Sequence, residues 1–143
     1  MLIGISPLVS PELLATLCRM GHGDEIVLAD AHFPGESCNA RTLRADGLKI
    51  ASLLDAILPL VALDTFVDTP LCMMQPVEGD LLDPAVEQSY RQMIDKHWPG
   101  TPAVARLERF AFYVQARRAF AVVMTGETAK YGNIILKKGV TPG

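Results

Sequence analysis

The sequence predicts an α/β fold of three layers, α/β/α, in which a largely parallel or mixed central sheet lies between two layers of helices. Short runs that are apolar at almost every position, such as Glu25 to Ala29, are typical of strands covered on both faces. Helical segments separate these runs, and two of them begin with a capping residue followed by proline, at Ser10-Pro11 and Asp83-Pro84. We expect residues 1–143 to form a single domain, because a chain of this length buries roughly two thirds of its unfolded surface.

Hydrophobic periodicity and turn residues define the order of the predicted elements. Turns are expected at Pro34-Gly35 and at Arg44-Ala45-Asp46-Gly47, where Asp46 either pairs with Arg44 or caps the next helix. The expected helices are Ser10 to Gly21, Ile50 to Val61 with a break near Pro59, Asp83 to Trp98, and Phe112 to Arg118. The expected strands are Glu25 to Ala29, Leu71 to Val77, Val104 to Arg109, Phe120 to Met124, and Asn133 to Lys137.

Composition excludes several classes of partner. The net charge is −3 without a basic cluster, so neither nucleic acid nor an anionic membrane surface is an expected partner. No apolar run approaches the roughly 20 residues of a membrane span. The three cysteines form no C-x-x-C pair, which favours a reducing compartment, the cytoplasm. Because 50% of the residues are hydrophobic, more than a monomer needs, we expect a homo-oligomer.

The segment Gly21-His22-Gly23-Asp24 and the aspartate that follows the next strand, Asp30, are the strongest candidates for a site. Glycines on both sides of His22 leave its imidazole free of neighbouring side chains. Asp30 lies at the carboxyl end of a buried strand, which is where ligands bind in open α/β sheets. We therefore expect His22 and Asp30 to meet in one crevice. The alternative for His22 is structural, with the ring only capping the end of the preceding helix.

Acid–base chemistry suits these residues better than metal, thiol or nucleotide chemistry. His22, Asp30 and His32 straddle a strand without the spacing of a metal site, so we expect no metal and no cofactor. Nucleophilic catalysis is not expected of the cysteines, since Cys18 falls on the apolar side of a helix, Cys72 in a buried strand and Cys38 in a loop. A histidine, in contrast, exchanges protons near neutral pH without a metal or a cofactor.

Other residues have both a functional and a structural interpretation. Arg109 is expected to leave a strand beside aromatic surface and could donate to ligand oxygens. Tyr131-Gly132-Asn133 lies in a polar loop, where the phenol could move a proton. We interpret His32 as more often structural, His97 as a surface residue at a helix end, and the Glu78-Gly79-Asp80 segment as a turn.

Several of these motifs together resemble the family of fucose mutarotases and ribose pyranases, nearly from end to end. Arginine at position 109 and the run from Ala129 to Asn133 resemble the fucose branch rather than the ribose branch. The segments that carry the resemblance are Ser10-Pro11-Glu12-Leu13-Leu14, Met20-Gly21-His22-Gly23-Asp24-Glu25, Asp30-Ala31-His32-Phe33-Pro34, Arg44-Ala45-Asp46-Gly47, Val77-Glu78-Gly79-Asp80, Arg109-Phe110-Ala111-Phe112-Tyr113 and Thr125 to Leu136.

The resemblance implies an isomerase that interconverts sugar anomers and assembles as a ring-shaped homo-oligomer, commonly a decamer. It implies that His22 donates a proton, and that Asp30, Arg109 and Tyr131-Gly132-Asn133 bind the sugar. We expect Asp30 to orient the histidine or a hydroxyl, and Tyr131 to assist proton transfer. A deoxy-sugar methyl would rest on aromatic surface, for which the candidates are Phe33, Phe112 and Tyr113. The alternatives are a ribose pyranase and a sugar-binding protein without catalysis.

Overall fold

The computed structural model describes residues 1–143 and contains a six-stranded mixed sheet between two layers of helices. The strands lie in the order β2-β5-β1-β6-β3-β4. In chain order the elements are α1 (Pro11–Arg19), β1 (Glu25–Ala29), α2 (Gly35–Cys38), β2 (Thr42–Ala45), α3 (Ile50–Ile57), β3 (Leu71–Met74), α4 (Pro84–His97), β4 (Ala105–Leu107), α5 (Arg109–Arg118), β5 (Ala121–Thr125) and β6 (Ile134–Lys137). The three-layer α/β fold expected from the sequence is confirmed.

Strand β1 is the centre of the molecule, and its alternating side chains divide the core in two. Ile26 and Leu28 join a cluster of 22 buried residues beneath α1, α3 and α4. Val27 and Ala29 join a second cluster, of 11 buried residues, beneath α5. Covering on both faces explains why β1 has no polar side and was recognisable as a continuous apolar run.

The direction of the neighbouring strands decides which loops meet at each end of β1. Strand β5 runs parallel to β1, whereas β6 is antiparallel to it, with Leu28 opposite Ile134 and Glu25 opposite Lys137. The residues that precede β6 therefore lie beside the carboxyl end of β1. The residues that follow β6 lie at its amino end, next to the turn that contains His22.

Most predicted elements are present, and the differences arise where local sequence signals are weak. Helix α2 and strand β2 were predicted only as turns, because α2 has four residues and β2 is a half-buried edge strand. Asp46 pairs with Arg44 at 3.1 Å, and the expectation that it caps α3 is wrong, since Lys49 holds that position. Strand β3 ends at Met74 rather than at Val77.

Arg109 begins a helix instead of ending a strand, so that part of the sequence prediction is wrong. The carboxylate of Glu108 accepts hydrogen bonds from the amides of Phe110 at 2.9 Å and Ala111 at 3.1 Å, which caps α5 three residues earlier than expected. Strand β4 consequently stops at Leu107. The correction moves Arg109 to the first turn of a helix, where it faces outward.

The expected environments of Cys18, Cys38 and His97 also need correction. Cys18 is exposed rather than on the apolar side of α1, and Cys38 ends α2 instead of lying in a loop. His97 is only 17% exposed, and its Nε2 lies 2.7 Å from Oδ1 of Asp55, so it is not a free surface residue. Cys72 is buried in β3 as predicted. None of the helices is both long and apolar enough to cross a bilayer.

Candidate active site

A cleft of about 430 Å³ opens at the carboxyl end of β1, between the start of α5 and the loop that precedes β6. Its volume lies within the range of pockets that hold small molecules. Four residues predicted for the site meet there, although Asp30 lies 79 or more positions before the other three: Asp30, Arg109, Tyr131 and Asn133. The remaining lining residues are His32, Phe33, Pro34, Met74, Val77, Tyr113, Thr128, Ala129 and Lys130.

Asp30 is the buried acid of the cleft. It is 8% exposed, and its Oδ1 accepts a hydrogen bond from the amide of His32 at 3.0 Å. Burial raises the pKa of the Asp30 carboxyl above its ordinary value, although the amides of His32 and Phe33 and the side chain of Asn133 act in the opposite direction. The structure therefore holds a desolvated acceptor where a ligand hydroxyl could donate.

Asp30→Asn is expected to raise the thermal unfolding midpoint at pH 7 by about 3 °C, the change that about 1 kcal/mol produces in a chain of this size. Because the folded pKa is raised, the stability contributed by this carboxyl is greatest below its ordinary value of 3.8 and is lost as the pH rises through the folded pKa. Thermal melts of both proteins between pH 4 and pH 7 measure the difference. The exposed Asp68→Asn is the control, and an equal midpoint for Asp30→Asn at pH 7 would contradict the prediction.

Asn133 connects the loop before β6 to the end of β1. Its Oδ1 accepts a hydrogen bond of 2.7 Å from the backbone amide of Asp30, and the side chain is buried at 4% exposure. This bond uses one of the two lone pairs of the carbonyl oxygen, and the amide nitrogen of Asn133 remains a donor. Asn133 therefore fixes Asp30 in addition to lining the cleft.

Tyr131 has a backbone conformation that only a few non-glycine residues adopt. Its φ is +55°, in the left-handed region, and its hydroxyl donates to Oδ2 of Asp80 at 2.7 Å. The hydroxyl also accepts a bond of 3.3 Å from the amide of Val77. The strained backbone and these two bonds together hold the phenol at the edge of the cleft.

Asp80 is a site residue whose role the sequence did not reveal beyond a turn. The ammonium of Lys130, 2.8 Å away, and the hydroxyl of Tyr131 lower the pKa of Asp80 to about 2. The carboxylate is therefore ionised at neutral pH and only accepts hydrogen bonds. The motif Val77-Glu78-Gly79-Asp80 was recognisable in the sequence, but its contact with residues 50 positions later was not.

Gly132 lies where no side chain fits. A Cβ there would be 2.9 Å from the carbonyl oxygen of Ala129 and 3.1 Å from the hydroxyl of Tyr90. That hydroxyl donates to the carbonyl oxygen of Gly132 at 2.7 Å, and burial raises the pKa of Tyr90, which keeps the phenol protonated. Tyr90 lies in the helix predicted from Asp83 to Trp98, but this contact of its hydroxyl group was not predicted.

Gly132→Ala is expected to lower the free energy of unfolding by about 1–3 kcal/mol, because the loop must move away from Ala129 and Tyr90 to accept the methyl group. Urea unfolding measures the loss. The matched control is Gly47→Ala, where a Cβ has no atom within 4 Å and the change should stay within about 0.5 kcal/mol. Equal stabilities of the two variants would show that the loop is not constrained at Gly132.

Arg109 and two aromatic rings form the opposite wall. The guanidinium lies 5.9 Å from the ring centre of Tyr113, and no carboxylate of the chain pairs with it. The rings of Phe33 and Tyr113 are 5.6 Å apart and both line the cleft. Phe112 was also expected there, but it is fully buried under the sheet, so that expectation is wrong. The hydrogen-bond donors of Arg109 therefore lie beside the apolar surface that Phe33 and Tyr113 form.

His22 is not in this cleft, and the expectation that it shares a crevice with Asp30 is wrong for a single chain. The two residues flank opposite ends of β1, whose five residues span about 17 Å. The cleft is lined from the carboxyl end alone. Asp30 therefore cannot orient the imidazole of its own chain.

At the amino end of β1, His22 is paired with an acid that was not predicted. Its Nε2 lies 3.0 Å from Oδ1 of Asp64, and its ring lies 5.2 Å from that of Phe66. The His22 side chain is still 46% exposed. The capping alternative for His22 is also wrong, because Lys138 binds the carbonyl oxygens near the end of α1. No three His, Cys, Asp or Glu side chains lie together as a metal site requires.

Comparison with known proteins assigns the chain to a family. The model of the RbsD / FucU transport protein family matches residues 3–141. The chain belongs to this family. An L-fucose mutarotase of Histophilus somni is 61% identical over 142 residues, covering 99% of both chains, and one of Haemophilus influenzae is 60% identical over the same length. The resemblance found in the sequence is thereby confirmed.

Solved structures of the RbsD / FucU family have the same fold. The fucose mutarotase of Streptococcus pneumoniae, in complex with L-fucose, superposes with a TM-score of 0.94 at 48% identity, covering 99% of this chain and 100% of that one. FucU of Bifidobacterium longum superposes with a TM-score of 0.92 at 44% identity, covering 97% and 99%. RbsD of Bacillus subtilis, complexed with D-ribose, superposes with a TM-score of 0.74 at 19% identity, covering 99% and 100%, which shows the shared fold alone.

Proposed function

We propose that the chain is an isomerase that interconverts the α and β anomers of L-fucose. The observation that carries the proposal is the cleft at the end of β1, where the acceptor Asp30 and the donor Arg109 lie beside the rings of Phe33 and Tyr113. Such a surface suits a sugar that has hydroxyl groups on one side and a methyl group on the other. Support comes from the relatives near 60% identity, which are L-fucose mutarotases.

The reaction opens and closes one C–O bond by proton transfers, with no change of oxidation state, so acid and base side chains suffice. A base takes the proton of the C1 hydroxyl while an acid gives a proton to the ring oxygen, and the bond between C1 and the ring oxygen breaks to leave an open-chain aldehyde. The carbonyl then rotates, the C5 hydroxyl adds to its other face, and the two proton transfers reverse. Acid–base groups of this kind contribute about 10²- to 10⁴-fold in rate.

Within the cleft the roles follow from which atoms are free. Asp30 accepts from a sugar hydroxyl, and Arg109 donates to the hydroxyl oxygens, because neither group is committed to another charge. The hydroxyl of Tyr131 donates to Asp80 and accepts from the amide of Val77, and its second lone pair can accept from a sugar hydroxyl and so assist proton transfer. The carbonyl oxygen of Gly132, which accepts from Tyr90, and the side-chain oxygen of Asn133, which accepts from the amide of Asp30, hold the loop that lines the cleft.

We infer that the proton-donating His22 comes from a second copy of the chain. In one chain His22 and the cleft are at opposite ends of β1, so a shared site requires that copies pack end to end. Exposed aromatic rings lie at both places, Phe110 beside Arg109 at 65% exposure and Phe66 beside His22 at 75% exposure. Aromatic side chains are enriched in protein–protein interfaces, so both places suit a contact between copies. A closed ring of copies, such as the decamer expected above, repeats this contact at every subunit.

Anomer exchange measured by saturation-transfer NMR tests the proposed function. We expect the protein to accelerate exchange between the anomers of L-fucose more than it accelerates exchange of D-galactose or D-ribose. Exchange of L-fucose at the buffer rate, together with an intact binding isotherm, would show a sugar-binding protein instead. Exchange between the pyranose and furanose forms of D-ribose alone would show a ribose pyranase.

We place the reaction in the cytoplasm, in keeping with three cysteines that are all free.

A further inference from the structure

A buried aspartate contacts the half-exposed histidine at the amino end of β1. Asp64 is 3% exposed, and its Oδ1 accepts from the amide of Phe66 at 3.0 Å and lies 3.0 Å from Nε2 of His22. The amide of Phe66 lowers the pKa of Asp64 most, and His22 lowers it further. Asp64 is therefore ionised at neutral pH and can only accept hydrogen bonds.

This contact decides which ring nitrogen of His22 holds a proton. Because the Asp64 carboxylate cannot donate, the hydrogen between the two groups belongs to Nε2 of the imidazole. Nδ1 has no hydrogen-bond partner in the chain and is the atom left to exchange a proton with a ligand. Carboxylates that hold an imidazole in one orientation and one tautomer are a recurrent device in acid–base catalysis.

The Asp64 segment and the His22 turn are both bonded to the same piece of backbone. The amide of Asp64 donates to the carbonyl oxygen of Lys137 at 3.0 Å, and the amide of Gly23 donates to that of Lys138 at 2.8 Å. Gly139 allows the two segments to approach, since a Cβ there would lie 2.5 Å from the carbonyl oxygen of Leu63. The distance between the carboxylate and the imidazole is thus fixed by main-chain bonds.

We propose that Asp64 is a positioning residue for catalysis, which orients His22 and supplies the negative charge that stabilises its protonated ring. The inference rests on the proposed function, because it assigns Asp64 a role only if His22 donates the proton. The Asp64 side chain is only 3% exposed whereas that of His22 is 46% exposed, so Asp64 acts through His22 and not on the sugar. No sequence motif indicated this role, since 42 positions separate the two residues.

The other charged groups near the pair do not replace the carboxylate. Asp24 is engaged by the amide of Gly21, which donates to its Oδ2 at 2.7 Å. The ammonium of Lys138 binds the carbonyl oxygens of Leu17 and Met20. The charge of Lys137 favours the ionised form of Asp64 and thus opposes protonation of the acid. Asp64 is consequently the one carboxylate that contacts the ring of His22.

Asp64→Asn tests the proposal, because asparagine keeps the size of the side chain and the acceptor for Phe66 but removes the charge. We expect the exchange rate at saturating L-fucose to fall about 10- to 100-fold, within the contribution of the acid–base group itself. The sugar concentration that gives half the maximal rate should stay within about twofold, and the pH at which activity declines should move. The matched control is Asp55→Asn, which removes the carboxylate from the pair with His97 and should leave exchange unchanged.

A double-mutant cycle separates this role from a structural one. If Asp64 acts through His22, Asp64→Asn should lower exchange no further in a His22→Ala background. An equal loss in both backgrounds would overturn the proposal, and so would an unchanged pH profile in Asp64→Asn. Loss of activity in His22→Ala with full activity in Asp64→Asn would refute the role of Asp64 and leave the proposed function intact. Full activity in His22→Ala would refute the roles of both His22 and Asp64, whereas exchange at the buffer rate in the unaltered protein would refute the proposed function.

A measurement on the unaltered protein covers the case in which Asp64→Asn does not fold. Nitrogen-15 NMR of labelled histidine distinguishes a protonated Nε2 from a protonated Nδ1, and the chain has only three histidines. We expect the neutral ring of His22, assigned from the signal that His22→Ala lacks, to be protonated at Nε2. Protonation at Nδ1 would overturn the proposal, because Nε2 would then not donate to Asp64.

Discussion

His22→Ala is expected to lower catalysed anomer exchange of L-fucose by about 10²- to 10⁴-fold, the usual contribution of a positioned acid–base group. Sugar affinity should change little, because the donors and acceptors of the cleft that bind the sugar, Asp30, Arg109 and Asn133, all remain in the variant. The measurements are saturation-transfer NMR for exchange and calorimetry for binding.

The other histidine that is paired with an aspartate provides the control for this variant. In His97→Ala, Asp55 keeps Lys96 as a partner at 2.8 Å, so the fold should tolerate the change and exchange should remain near wild type. A loss of binding in His22→Ala equal to the loss of exchange would show that the imidazole holds the sugar and does not catalyse. Wild-type exchange in His22→Ala would exclude the residue from the reaction.

The sequence predicted the elements whose burial is continuous or whose ends are capped. Strand β1 was placed with its observed bounds, because four of its five residues, Ile26 to Ala29, are apolar and covered on both sides. Helix α4 was placed as well, since Asp83 and Pro84 mark its start. The short helix α2 and the edge strand β2 were not predicted, because four residues provide too little periodicity to distinguish a helix or a strand from a turn.

The candidate site was predicted in its composition but not in its geometry. Asp30, Arg109, Tyr131 and Asn133 were named from local motifs, and the reversed direction of β6 brings the last two beside the first. The partners that orient such residues were missed, because each lies far away in the chain. Asp80 contacts Tyr131 across 51 positions, and Tyr90 contacts Gly132 across 42.

The placement of His22 shows why a strand can mislead a prediction. The residues that flank a strand are close in sequence, but the strand itself holds them apart, by about 17 Å for the five residues of β1. Two residues on either side of one strand therefore act together only when another chain brings a second copy of one of them. A site that combines His22 with Asp30 thus requires at least two copies of the chain.

Mixed assemblies of His22→Ala and Arg109→Ala subunits are expected to regain exchange activity that neither variant has alone. If each site combines the cleft of one copy with His22 of another, random assembly of equal amounts joins two intact parts in about a quarter of the sites. The recovered rate should then be about a quarter of the wild-type rate. Arg109 is a suitable partner for this experiment, because its exposed side chain at the start of α5 can be shortened without opening the core.

The mixture is made by coexpression with two affinity tags and sequential purification, and exchange is measured per subunit. The two variants purified separately and combined only in the assay serve as the control, which should stay inactive as long as subunits do not exchange. If His22 reached the cleft of its own chain, every subunit would carry one defect and coexpression would restore nothing. Recovery near a quarter therefore distinguishes a site shared between copies from a site within one chain, whatever the number of subunits in the ring.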